Sequence, residues 1–64
     1  MSSNIKATVG NDGLIELDGI GELRRACVIH ISTGSVIEYT ETNKDGNIEI
    51  APHFEGTEVQ VVIP

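Results

Sequence analysis

Apolar and polar residues alternate in short runs along nearly the whole chain, and Gly, Asn and Asp separate the runs. A period of two between such punctuation is the pattern of half-buried β-strands. It predicts six strands. In residues 5–9, Ile5, Ala7 and Val9 alternate with Lys6 and Thr8, and in residues 14–17, Ile15 and Leu17 flank Glu16. Residues 26–32 form the most apolar run, and residues 35–42 are rich in β-branched side chains. Residues 47–50 and 57–63 complete the set. Asn11-Asp12-Gly13 and Asn43-Lys44-Asp45-Gly46 read as hairpin turns, because Asp-Gly supplies the positive φ such turns require. Thr33-Gly34 is a third turn, and residues 18–21 and 52–56 are loops. Glu22-Leu23-Arg24-Arg25 has room for one helical turn at most before a new strand with β-branched residues begins.

Alternation also assigns faces. Ile5, Ala7, Val9, Ile15, Leu17, Ile37, Tyr39, Ile48, Ile50, Phe54, Val59, Val61 and Ile63 fall on the inward side. Each contributes roughly 1.5–3 kcal/mol when fully buried. Leu14, Val36 and Val62 are left on the outside. Across residues 26–31 both faces are apolar, so either Val28 or the pair Ile29 and Ile31 points outward. A strand that is apolar on both sides is central in a fold or covered by a partner. The candidate partner-binding residues are therefore Leu14, Val28, Val36 and Val62, joined by Arg24 and Arg25, the one cluster of positive charge.

A spacing recurs. Asp12-Gly13 and Asp45-Gly46 lie 33 positions apart, and at that offset Ile15 meets Ile48, Glu16 meets Glu49, Leu17 meets Ile50, Ala26 meets Val59 and Val28 meets Val61. Duplication accounts for this. So, more simply, does a β-meander with Asp-Gly turns.

Length makes the core small. The 64 residues form a single domain spanning 1–64, and at this size folding buries only about 60% of the surface of the unfolded chain. Small domains often compensate with disulfides or a metal. Cys27 is the sole cysteine, so no internal disulfide forms, and one Cys with two His, lacking CxxC or HxxxH spacing, makes a structural zinc site a poor expectation. No cofactor is expected. The net charge is −6, with Lys6, Arg24, Arg25 and Lys44 the only bases, so a counterion-releasing footprint for nucleic acid is missing. With Tyr39 and Phe54 as the only aromatics, so is a base-stacking platform. An acidic surface keeps a small β protein soluble, or meets a basic partner. The opening residues Met1-Ser2-Ser3-Asn4-Ile5-Lys6 show neither a basic n-region nor an apolar h-region, and no apolar run approaches 18 residues. The expectation is cytoplasmic synthesis without a secretion signal and without membrane association.

Candidate chemistry is sparse. Glu16, Glu38, Glu49 and Glu58 fall on outward strand positions, where solvated charge is the ordinary role; paired catalytic carboxylates need a cleft. Cys27 and His30 are three apart on a strand and so face opposite ways, which argues against a Cys-His pair. Cys27 reads as a small buried hydrophobe. Asp12, Asn43 and Asp45 have a sufficient role accepting backbone N–H bonds in turns. No enzymatic activity, catalytic residue or small-molecule substrate is expected.

The order of elements resembles the bacterial and phage Ig-like modules. The residues that carry it are Asp12-Gly13-Leu14-Ile15-Glu16-Leu17-Asp18-Gly19, then Ala26-Cys27-Val28, then Asp45-Gly46-Asn47-Ile48-Glu49-Ile50 with Ala51-Pro52, and Gly56-Thr57-Glu58-Val59, together covering about residues 5–63. Glu22-Leu23-Arg24-Arg25 stands where that family has a Pro-Gly-type turn, and the paired cysteines and Trp of antibody domains are absent. The resemblance implies an all-β, Ig-like β-sandwich of six or seven short antiparallel strands. It further implies a non-enzymatic structural or binding module with a protein partner or self-association, such as a small phage virion protein that decorates or stabilises a capsid or tail. "IKATVGNDGLIEL" and "GTEVQVVI" are also similar to small swapped-hairpin antitoxins, all-β dimers that bind a toxin. A third role open to an acidic chain is inhibition of a basic host protein, as anti-defence proteins do.

Overall fold

The computed structural model describes residues 2–64; Met1, part of the stretch read above for an export signal, lies outside them. The fold is all-β. Six strands run in the order β1 (Ser3–Thr8), β2 (Leu14–Ile15), β3 (Arg25–His30), β4 (Val36–Glu41), β5 (Ile48–Glu49) and β6 (Glu58–Ile63), each inside a run predicted from alternation or overhanging it by no more than two residues. They make two antiparallel sheets, one of four strands in the order β1-β6-β3-β4 and a ribbon of β2 with β5.

The connections differ from expectation. Each Asp-Gly turn was expected to close a hairpin, yet β1 and β2 lie in different sheets, as do β4 and β5. The turns act as corners that carry the chain from one sheet to the other. At the first, Asn11–Gly13 is a 3-10 turn with Asp12 at φ 59° and Gly13 at φ 81°. At the second, the Asn43 side-chain oxygen accepts the N–H groups of Asp45 (2.9 Å) and Asn47 (3.0 Å), and Gly46 sits at φ 79°. A simple meander is thereby excluded. The turn at 31–34 does join paired neighbours, β3 and β4.

The ribbon covers the inner face of the larger sheet. Ile15, Ile48 and Ile50 from its side meet Val9, Ala26, Val28, Val59, Val61 and Ile63, with Ile5, Ala7, Leu17, Ile20, Ile37 and Phe54 packed around them. Of the thirteen residues assigned inward from alternation, twelve are in this core or against it. Tyr39 is the exception, 77% exposed. A bulge explains it. Val28 pairs with Glu38 but Ile29 pairs with Val36, which leaves Ile37 as an extra residue in β4. An inserted residue reverses the alternation on either side of it. Ile37 therefore turns to the core while Tyr39, beside Cys27, turns out.

The 33-residue offset is the organising feature of the backbone. Adding it to β1 gives the bounds of β4, and adding it to β3 gives those of β6. Hydrogen bonds repeat at the same spacing. Val9 donates to Thr57 O (2.9 Å) and accepts from Gly56 (2.8 Å), while Thr42 donates to Arg24 O (2.8 Å) and accepts from Leu23 (3.0 Å). Gly10 donates to Leu14 O and Asn43 to Asn47 O, both at 2.7 Å. Antiparallel pairing places Val28 against its own counterpart Val61, and Ile15 against Ile48. An approximate two-fold axis thus passes through four fully buried side chains. Among the described residues every strand pairing (β1 with β6, β2 with β5, β3 with β4, β3 with β6) joins the first half of the chain to the second.

Candidate docking surface

Cross-strand partners share a face, so the register determines what the larger sheet presents to solvent. One row runs Asn4, Val62, Cys27, Tyr39, and the next runs Lys6, Gln60, Ile29, Val36. Tyr39 is 77% and Val36 45% exposed, while Cys27, Ile29 and Val62 are half-buried. The centre of this outer face is therefore apolar. A shallow groove of about 530 Å³ lies at one end of it, bounded by Arg25, Cys27, Tyr39, Glu41, Val62 and Pro64. A face like this normally carries polar residues when it meets only water.

Charges on this face balance. Arg25 is the cross-strand partner of Glu41 at one end, and Glu58 pairs with Thr8 beside Lys6 at the other. Two bases and two acids leave the face neutral, so the net charge of −6 resides on the rest of the molecule. Part of it surrounds a second groove by the ribbon, of about 420 Å³, whose walls include Asp12, Asp45 and Glu49. There Asn43 donates to Glu49 Oε2 at 2.9 Å.

The candidate partner-binding residues separate into three groups. Val36, Val62 and Arg25 come together on the outer face. Arg24 is exposed just off its end, with Nη2 3.4 Å from Pro64 O, and its N–H donates to Thr42 Oγ1. Leu14 lies elsewhere, half-buried on the ribbon opposite Glu49. Val28 is a correction: it is fully buried on the two-fold axis and has no surface to offer a partner. The choice left open for residues 26–31 resolves accordingly, with Ala26 and Val28 inside, Ile29 on the outer face and Ile31 40% exposed just past the strand end. Tyr39 and Cys27, both read from sequence as core, prove to be the middle of the surface. The signal for Cys27 was present in the two-sided apolarity of β3, whereas that for Tyr39 was hidden by the bulge.

Among the described residues no group of three or more His, Cys, Asp or Glu is gathered closely enough to hold a metal ion. Cys27 faces out and His30 pairs with buried Val59 on the other side of the sheet, so the two are on opposite faces. His30 Nδ1 lies 2.9 Å from Ser32 Oγ instead. Every buried side-chain nitrogen or oxygen among the described residues has a hydrogen-bond partner. Thr42 illustrates this: its hydroxyl donates to Gly21 O (2.6 Å) and accepts from the Arg24 N–H (2.9 Å).

Comparison with protein-family models, with curated proteins and with solved structures finds no match to this chain.

Proposed function

We propose that this protein is a non-enzymatic binding module that docks onto another protein surface through the outer face of its four-stranded sheet. One observation carries this: Tyr39, Val36, Val62, Cys27 and Ile29 form an apolar strip, with a shallow groove at its Tyr39, Cys27 and Val62 end, on a sheet whose other face already supplies the core. Contiguous exposed apolar surface of this kind marks interaction sites, and interfaces are enriched in central Tyr. The resemblance to phage Ig-like modules supplies the setting, a small component that decorates or stabilises a capsid or tail. That step rests on family analogy.

A specific observation favours a second reading, the antitoxin. Swapped-hairpin antitoxins are dimers with exchanged strands, and here every strand pairing among the described residues links one half of the chain to the other. Interleaved halves in a single chain are what fusion of such a dimer into one polypeptide would give. The genes beside this one separate the settings: capsid or tail genes support decoration, and a toxin gene supports neutralisation.

Val62→Asp tests docking on the protein itself. The variant is expected to keep its circular dichroism spectrum and melting curve and to lose cosedimentation with the particle. Undiminished cosedimentation, or unfolding of the isolated variant, would overturn the proposed role of this face.

A further inference from the structure

Resting on the docking face just proposed, we infer that its partner is a second copy of this chain, packed sheet against sheet. Charge is the first reason. Lys6 and Arg25 balance Glu41 and Glu58, so this is the face on which two chains of net charge −6 meet with no net charge at the contact. A basic partner would be drawn to the remaining surface, where eight acids face Arg24 and Lys44.

Symmetry is the second reason. The pseudo-two-fold axis through Val28 and Val61 runs across the sheet, and at the 33-residue offset Ile29 corresponds to Val62, so apolar groups flank the axis on both sides. When two such faces meet about a two-fold axis lying between them, each contact forms twice. A self-complementary patch needs no foreign surface to match it.

Size is the third. The molecule measures 25 × 22 × 16 Å, so the outline of its broad face is smaller than the roughly 800 Å² that each partner buries in a standard interface. That predicts a weak, reversible dimer, with Kd on the order of tens to a few hundred micromolar.

Sedimentation equilibrium of the full chain between about 10 μM and 1 mM, a range that brackets this Kd, provides the test. The expected result is a monomer–dimer equilibrium abolished by Tyr39→Asp, preserved by Tyr39→Phe, and accompanied by unchanged circular dichroism in both variants. Arg25→Glu is expected to weaken dimerisation about tenfold, by placing like charge at the rim. The paired swap Arg25→Glu with Glu41→Arg restores neutrality and is expected to recover most of the loss. Added salt is expected to tighten the dimer, because it screens repulsion between the acids away from the contact.

A monomer at the highest concentration, a dimer indifferent to Tyr39→Asp, or one weakened by salt would each overturn self-docking. If the chain is monomeric yet Val62→Asp still loses the particle, the docking face stands and its occupant is a different protein. If Val62→Asp loses nothing, the face itself is wrong.

Discussion

At the entry to β3 the backbone turns through Leu23 at φ 56°; at the equivalent entry to β6 it turns through Gly56 at φ 85°. The two halves of the molecule repeat the same path with mostly different residues. Where the first half has Val9, buried and inert, the second has Thr42, equally buried, whose hydroxyl pins the loop ahead of β3 through Gly21 O and the Arg24 N–H. The loop ahead of β6 holds itself instead, as a 3-10 turn at Pro52–Phe54 with Phe54 packed onto the core and its N–H donated to Ala51 O at 3.1 Å. Where Gly10 has no side chain, Asn43 organises the second corner with two accepted N–H bonds. Strand pairing along the axis fixes the skeleton, and each loop finds its own way to satisfy the same backbone groups.

The sharpest difference lies at the edges of the larger sheet. β1 pairs with β6 in unbroken register from Ser3–Ile63 to Thr8–Glu58, while β4 pairs with β3 across a bulge at Ile37. From Arg25–Glu41 to Val28–Glu38 the two pairings are equivalent, and past that point they diverge. The bulge turns Ile37 to the core where the other half has Asn4 on the outer face, and Tyr39 stands outward where the other half has Lys6. A symmetric skeleton thereby acquires an asymmetric surface, with the apolar strip toward the β4 side. Bulges also discourage edge-to-edge pairing, so β4 is the better protected of the two edges.

The comparison can be broken most severely on the axis. Val28→Asp and Val61→Asp are expected to be equally disruptive, since each buries a carboxylate among the same apolar partners. A loss above about 4 kcal/mol, enough to unfold a domain this small, is expected in both. Urea denaturation measures it, and a folded, stable variant of either kind would mean that the axis does not run through the core. An intermediate effect separates the two corners. A Cβ on Gly13 would lie 2.0 Å from Ile50 O, whereas one on Gly46 would lie 3.4 Å from its nearest neighbour, the Gly21 N. Both have positive φ. Gly46→Ala is expected to cost about 1–2 kcal/mol for the left-handed backbone alone, and Gly13→Ala clearly more, because main chain must move. Equal costs would show that the ribbon yields freely at Ile50. The smallest effect should be a gain. Leu23 is 66% exposed and buries little, so Leu23→Gly relieves the positive-φ penalty against a partly offsetting entropy loss, raising stability by about 0.5–1 kcal/mol. A rise in melting temperature checks it; a fall would mean that Leu23 makes a contact its exposure does not reveal.

Much of this fold is legible in the sequence because a strand's pattern is local. Ile5, Ala7, Val59, Val61 and Ile63 declare their face two residues at a time. Pairing partners are not local. Asp-Gly at 12–13 and 45–46 specifies a bend with positive φ and says nothing about whether the strands leaving it lie side by side, so a corner between sheets and a hairpin look alike. Tyr39 is illegible for a related reason: alternation carries its phase from neighbour to neighbour, and one unpaired residue at Ile37 shifts that phase without leaving a Gly or Pro to mark the place. The apolar outer face was half-visible, since residues 26–31 read as apolar on both sides, but which of Val28 and Ile29 pointed outward depended on which strands lay to either side.

Interleaving of the halves sets a constraint on biosynthesis. Because β2 waits for β5 and β1 waits for β6, a nascent chain emerging from the ribosome cannot complete the ribbon before residue 49 or the four-stranded sheet before residues near 63 have cleared the exit tunnel. Folding is then dominated by contacts between distant positions, which are slow to close. Until that moment β3, apolar on both sides, is the segment most in need of protection from aggregation.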